Sequence, residues 1–257
     1  MAQADRIFKL AFRKHFTNHE GNFPLTREVK LGDYGTFTNG YFVRIGNIKD
    51  LPFGLTFGAD IDPNPTSEEF QSEGSVSVNT YAKGDIGPAG TPLAKATLEV
   101  GFSKDEAVFF SAAAVRYNQI SNLTTLGQSI LDFYNSKKWE KRHFIVTRLI
   151  EAERAVVLIS GSSNSKISIE ADANAPEIDL SNTSLKLSIT KSAKVSYKII
   201  AEKCSLGFGL SRVFNPIFAK PEFKGRSNQI TFREIDESRS IDKDNLAFGD
   251  VLPDLYA

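Results

Sequence analysis

Strict alternation of apolar and polar residues constrains this chain more than any other feature. In residues 75–82 (SVSVNTYA), Val76, Val78 and Thr80 share one side. In residues 96–102 (ATLEVGF), Ala96, Leu98, Val100 and Phe102 share one side, with Thr97 and Glu99 opposite. Residues 166–173 (KISIEADA), 185–189 (LKLSI) and 195–200 alternate in the same way. A period of two belongs to extended strands, whose successive side chains point to opposite faces. Such strands bury one face and leave the other in a polar medium, as antiparallel sheets allow. The Gly/Pro-rich stretch 83–92 (KGDIGPAGTP) joins the first two runs and cannot itself be regular.

The remaining segments supply partners for these strands. Residues 5–16 predict a helix, with Asp5 as its cap and Ile7, Phe8, Leu10, Ala11 and Phe12 as a wide apolar face. Residues 29–48 predict a hairpin turning at Thr38-Asn39-Gly40, since Asn and Gly tolerate the positive φ of tight turns. Residues 62–66 (DPNPT) read as a loop. Residues 107–115 (AVFFSAAAV) have strand length, but their alanines leave a helix open. Leu123, Leu126, Ile130, Leu131 and Phe133 predict a second helix over 122–134. Residues 143–150 and 155–160 read as two strands, 161–164 as a turn and 229–235 as a last strand. The expected fold is α+β: a large twisted antiparallel sheet with a few packed helices. Residues 1–235 are expected to form one domain and 236–257 an acidic tail.

Composition removes several function classes. One Cys in 257 residues leaves no internal disulfide framework and no Cys-based zinc site, and points to a reducing cytosol. His15 and His19 are four apart, but no third ligand accompanies them, so no metal is expected. Gly207-Phe208-Gly209 lacks the rest of a dinucleotide fingerprint, and residues 160–165 (SGSSNS) lack a nucleophile elbow. Glu68 and Glu69 read as part of a solvated acidic loop region. Cys204, beside Leu206 and Phe208, reads as a small buried hydrophobe. No catalytic residue and no cofactor is expected. No run approaches the roughly 20 apolar residues that a membrane-spanning helix requires, and charges interrupt the N-terminus where a signal peptide would be apolar.

Thirty-one basic residues balance 31 acidic ones, so no global field invites nucleic acid. The balance is a cancellation of blocks. Arg6, Lys9, Arg13 and Lys14 face Asp5 alone; residues 51–74 hold five acids and no base; residues 186–203 hold five lysines and one acid. A basic helix beside Ile7, Phe8, Leu10 and Phe12 suits either an anionic membrane surface or ordinary packing on a sheet. The alternating strands likewise suit a half-exposed sheet or strands that cross a bilayer, apolar side to lipid and polar side to a lumen. The residues alone leave both readings open, and a soluble β-rich binding module is the alternative to a membrane protein.

The order of elements resembles the pore-forming domain of gasdermins, with a basic helix, an aromatic-tipped hairpin, an alternating β region, a helix and a second alternating β region. Leu31-Gly32-Asp33-Tyr34-Gly35, Phe42-Val43-Arg44-Ile45-Gly46-Asn47, Trp139 with Ile145-Val146-Thr147, and Leu158-Ile159-Ser160 are similar to fungal gasdermin-like cell-death proteins. The resemblance implies that Arg6, Lys9, Arg13 and Lys14 face acidic lipids, with Phe37 and Tyr41 as an apolar hairpin tip. It implies two inserting β regions, about 73–116 and about 142–202, with Lys186, Lys191, Lys194 and Lys198 near headgroups or the lumen. It further implies a cytoplasmic protein that moves to the plasma membrane, assembles with copies of itself and kills the cell. Its length leaves no room for the family's inhibitory domain. An allelic partner is therefore the expected trigger, and the acidic tail a candidate restraint.

Overall fold

The computed structural model describes residues 2–214 except 39, 53, 82, 87–96, 172–176, 181–182 and 194, with side chains outside 169–199. The chain runs α1 (Ala2–His15), β1 (Glu20–Gly21), β2 (Asp33–Thr38), β3 (Tyr41–Asn47), a 3-10 turn (Ile48–Asp50), β4 (Ala59–Asp60), β5 (Thr66–Gln71), β6 (Val76–Tyr81) and β7 (Thr97–Phe102). It continues with β8 (Val108–Ile120), α2 (Leu123–Asn135), β9 (Phe144–Ser160), β10 (Ser165–Ala171), β11 (Glu177–Leu180), β12 (Thr183–Ala193) and β13 (Val195–Arg212). The α+β expectation holds: two helices pack on antiparallel strands. Residues 215–257 lie outside the described residues, and with them the expected strand at 229–235 and the acidic tail.

The strands form two sheets. In the first, the 17-residue β9 is the spine: β13 pairs along one edge, while β8 and then β2 pair along the other. β3 extends β2, β4 and β5 extend β8, and β1 extends β13. The second sheet has the order β11-β12-β10-β7-β6. The two runs read separately at 143–150 and 155–160 are thus one strand.

The second sheet grows out of the first. β7 meets β10 from Thr97↔Glu170 to Phe102↔Ser165, and β8 meets β9 from Val108↔Ile159 to Gln119↔Arg148. Residues 103–107 and 160–164 lie between, two stretches of equal length, so the ladder resumes in the register it left. Ser160 N donates to Ala107 O at 2.9 Å inside this gap. The outer strands lose register at the same level, from Gln71↔Phe109 to Val76↔Phe102 and from Ser160↔Val195 to Lys166↔Ala193.

Burial assigns the two faces of β8. Phe110 points under α1, into a cluster with Phe8, Phe12, Phe16, Phe70 and Val157, while Phe109 points under the second sheet, with Val100, Phe102, Leu158 and Ile167. Of the alanines that left residues 107–115 ambiguous, Ala112 is explained by the first contact and Ala107 by the second. Ala112, with Ala152, Ala155 and Ala201, floors the groove in which the helix lies. Gly21 and Gly207 pair directly beneath it, and a Cβ on Gly207 would collide with the Phe12 ring. A third cluster joins α2, through Leu126 and Ile130, to Trp139 and Ile145.

Candidate functional site

The polar rim of α1 is where the structure departs most from the expected basic face. Four-residue spacing places Asp5, Lys9 and Arg13 along one side of the helix, next to the phenylalanine stripe. β1 brings Glu20 against that side. Lys9 Nζ lies 3.1 Å from Asp5 Oδ1 and 3.8 Å from Glu20 Oε1, and its side chain is 2% exposed. Arg13 donates to Glu20 Oε2 through Nη2 at 2.5 Å and Nε at 3.1 Å, with 15% of its side chain exposed. Two carboxylates and two cations are thereby sealed together. Burial pushes the Glu20 carboxyl above its ordinary value, against the pull of Arg13 and then Lys9.

The same cluster holds the β2–β3 hairpin. Lys9 Nζ donates to Gly40 O at 3.4 Å and sits 4.4 Å from the centre of the Tyr41 ring. Gly40 takes a φ of 82°, which the turn requires and a side chain would resist. Arg27, also partly buried, donates to Asn22 Oδ1 at 3.1 Å and to Phe42 O at 3.4 Å.

The expected lipid-facing residues therefore separate. Arg6, half exposed and 3.9 Å from Glu106, shares the outer stripe of α1 with Leu10 and the exposed Lys14. Lys9 and Arg13 do not share it: their charges are turned inward to Glu20, because an acid on β1 meets them there. Asp5 is not the cap either, since the helix begins at Ala2 and Asp5 is buried beside Lys9. Phe37 is half-buried and packs edge-on against Phe144 at 5.0 Å, and Tyr41 is half-buried beneath Lys9. Val43 and Ile45 on β3 are the exposed apolar residues of this hairpin.

Among the lysines, Lys186 pairs in register with Glu177, Lys191 with Ser168 and Lys198 with Leu158, and Lys194 lies outside the described residues. Glu68 and Glu69 belong to β5 rather than a loop. Glu68 receives the Tyr117 hydroxyl at 2.6 Å and lies 3.3 Å from His15 Nε2.

His15 and His19 do not converge. Burial, then Arg148, lowers the His19 pKa to about 4. No group of metal-ligating residues forms among the described residues. Cys204 is buried below α1, its thiol pushed up to about 12 by burial. His143 packs on Trp139 and Tyr34, in another part of the core.

No family profile matches the chain, and no curated protein matches it. Two solved structures are similar in chain course. One is the cryo-EM structure of the gasdermin A3 membrane pore, with a TM-score of 0.39, 11% identity, and coverage of 89% of this chain and 96% of that one. The other is a bacterial gasdermin from Bradyrhizobium tropiciagri, with a TM-score of 0.36, 15% identity, and coverage of 82% and 88%. Both are gasdermins. The likeness is distant, and what this molecule can do is read from its own ladder and helix.

Sequence inspection found the cations of α1 and missed their counter-ion. Two signals for the cluster were present: the Asp5–Lys9–Arg13 spacing, and a Glu at position 20 just past the helix. Nothing local in Glu20-Gly21 announces that this pair becomes a strand against β13.

The second sheet is the other functional candidate. Glu99, buried, is met by Lys166 Nζ at 2.9 Å on the polar face, while Leu98, Val100 and Phe102 hold the opposite face on the core. Among the described residues no helix is long and apolar enough to cross a membrane, which does not bear on crossing by strands.

Proposed function

We propose that this protein permeabilises membranes by assembling copies of itself into a β-barrel pore, and is not an enzyme. The observation that carries this reading is the uninterrupted register across residues 103–107 and 160–164. β7 has 6 residues, short of the roughly 9–11 that a tilted spanning strand requires. Straightening the two equal stretches fuses β7 to β8 and β10 to β9 without re-pairing any residue. The apolar face of the second sheet then exchanges the core for lipid, and the Glu99–Lys166 face lines water.

A lone hairpin cannot make this transition, because every unpaired backbone group in hydrocarbon costs several kcal/mol. Closure into a ring removes the edges. Each copy contributes β6, β7, β10 and β12, an even number, so antiparallel alternation continues from copy to copy. Arg6 and Lys14 make the first contact with acidic lipids. Lys9, Arg13 and Tyr41 follow once the Glu20 cluster opens, with Phe37 at the hairpin tip and Lys186, Lys191, Lys194 and Lys198 toward headgroups or lumen.

The target is the plasma membrane, the consequence is regulated cell death, and the trigger is a divergent allelic form of the protein in fungal non-self recognition. The resemblance of residues 31–35 and 42–47 supports that part. Dye release from acidic-lipid liposomes tests it, with the protein alone and mixed with a divergent allelic form. Leakage is expected in at least one condition; folded protein that leaks in neither ends the proposal.

A further inference from the structure

The trough under α1 is lined at an irregular spacing. Ala112 and Val115 on β8, Ala152 and Ala155 on β9, and Ala201 and Cys204 on β13 all face the helix cluster. Each pair is three apart, where a regular strand repeats every two. The residues between them, 113–114, 153–154 and 202–203, lie outside that cluster. Each strand therefore carries one residue more than its alternation needs. The backbone shows where on two of them: Ala114 has a φ of 52° and Lys203 a φ of 45°. The other described non-glycine residues with positive φ, Asn18, Glu106, Lys137 and Asn164, lie in turns.

The three extra residues form one row. Glu153 on β9 stands level with Ala114 on one side and Lys203 on the other, and the pairing skips it on both. Ala113↔Arg154 is followed by Arg116↔Glu151, and Glu202↔Arg154 by Cys204↔Ala152. An extra residue in one strand alone shifts register and turns every side chain beyond it to the other face. Three matched ones leave the register among β8, β9 and β13 unchanged. β5, the next strand out, lacks the insertion. Its register with β8 does shift at this level, between Thr66↔Val115 and Glu68↔Ala112.

A bulged strand bends, and here three bend at one level. α1 lies across that level. On one side Phe12 meets Phe110, at 6.4 Å between ring centres; on the other it closes on Gly207 and leaves no room for a Cβ. We infer that the row Ala114–Glu153–Lys203 is a hinge across the first sheet, and that α1 is the splint holding its angle. With the helix seated, the half that bears the second sheet is fixed against the half that bears β2 and β3. With the helix lifted, the two halves turn about the row. The pore reading offers one occasion for the helix to lift, but the hinge stands without it.

Deletion tests the row in the full-length chain. Removing Ala114, Glu153 and Lys203 together restores a period of two on all three strands and keeps their pairing on either side. Removing Glu153 alone slips β9 against both neighbours. The triple deletion should therefore melt higher than the single one, a reversal that only coupled sites produce. It should also lose the amide protection of residues 4–16, because a straight sheet no longer seats the helix. A triple deletion that melts no higher than the single one, or that keeps wild-type protection in residues 4–16, overturns the proposal.

Substitution tests the row without changing chain length. Gly accepts a positive φ that Ala and Lys resist. Ala114→Gly and Lys203→Gly should each raise the melting temperature, although Gly within a strand ordinarily weakens it. Ala114→Val should lower it. Unchanged or lower melting for both glycine variants overturns the row. Phe12→Ala loosens the splint, and hydrogen exchange should then quicken in residues 113–116, 151–154 and 202–204 ahead of 108–111 and 156–159. Uniform quickening would show a fixed bend and overturn the hinge. None of these measurements involves a membrane, so the hinge and the pore reading stand or fall separately.

Discussion

The helix α1 and the second sheet are both amphipathic, and they bury their apolar sides on opposite faces of the same strand. Phe110 of β8 meets α1, and Phe109, its neighbour, meets the second sheet. The joints differ at their margins. Under the sheet the contact is apolar, so lifting it costs hydrophobic area, roughly 25 cal/mol for each Å². Beside the helix the contact continues into four sealed charges, whose net worth is set by desolvation against Coulomb attraction. One joint responds to an apolar solvent such as lipid; the other responds to charge and pH.

The first way to break this comparison is to remove each phenylalanine in turn. Phe110 stacks on Phe70 at 4.7 Å and lies within ring contact of Phe8, Phe12 and Phe16. Phe110→Ala should cost about 3–5 kcal/mol and lower the stability of the whole chain. Phe109→Ala empties a similar volume, but beneath a sheet that hangs from the ladder by its ends. Hydrogen exchange should then accelerate in residues 76–81 and 97–102 before it does in 144–160. Equal acceleration in all three segments would show that the two sheets open as one unit.

A smaller effect separates two lysines of one helix. Lys9→Met leaves Asp5 without its ion-pair partner and Glu20 with Arg13, and breaking a buried pair in this way costs about 3 kcal/mol. Lys14→Met, on the exposed stripe, should fall within about 0.5 kcal/mol of the wild type. Urea melts of the two variants measure the difference directly. If they coincide, Lys9 is not held as its distances to Asp5 and Glu20 imply.

These pairs also show what was legible beforehand. The alternating strands, the hairpin at residues 33–47 and both helices follow from period and turn chemistry, which are local. The junction at 103–107 and 160–164 does not, because equal loop length has meaning only when two distant segments are paired. The same limit hid Glu20. An amphipathic wheel places Lys9 and Arg13 at the border of the apolar face, and only a strand from elsewhere decides whether that border is wet. A count of basic residues alone therefore overstated the exposed basic surface of α1.

The finest test turns on two adjacent residues with opposite signs. Glu20, buried, has a raised pKa, so the folded chain holds this proton more tightly than the unfolded one. Its contribution to stability is fully present below the ordinary carboxylate range and is lost as pH rises through the raised value. His19 has its pKa lowered from 6.5 to about 4, so it stabilises the fold when neutral, and that contribution is lost as pH falls from about 6.5 toward 4. The two slopes oppose each other in the window that opens at the ordinary carboxylate value, and there partly mask one another in the wild type. Glu20→Gln removes the first, so its stability relative to wild type should climb as pH rises through that window and then level off. His19→Gln removes the second, and its relative stability should climb as pH falls. Hydrogen exchange of residues 4–16, corrected for intrinsic rate, locates the Glu20 effect in the α1 joint. A Glu20→Gln curve parallel to wild type would mean that Lys9 and Arg13 fully compensate the buried carboxylate, leaving the helix joint as insensitive to pH as the apolar joint under the sheet.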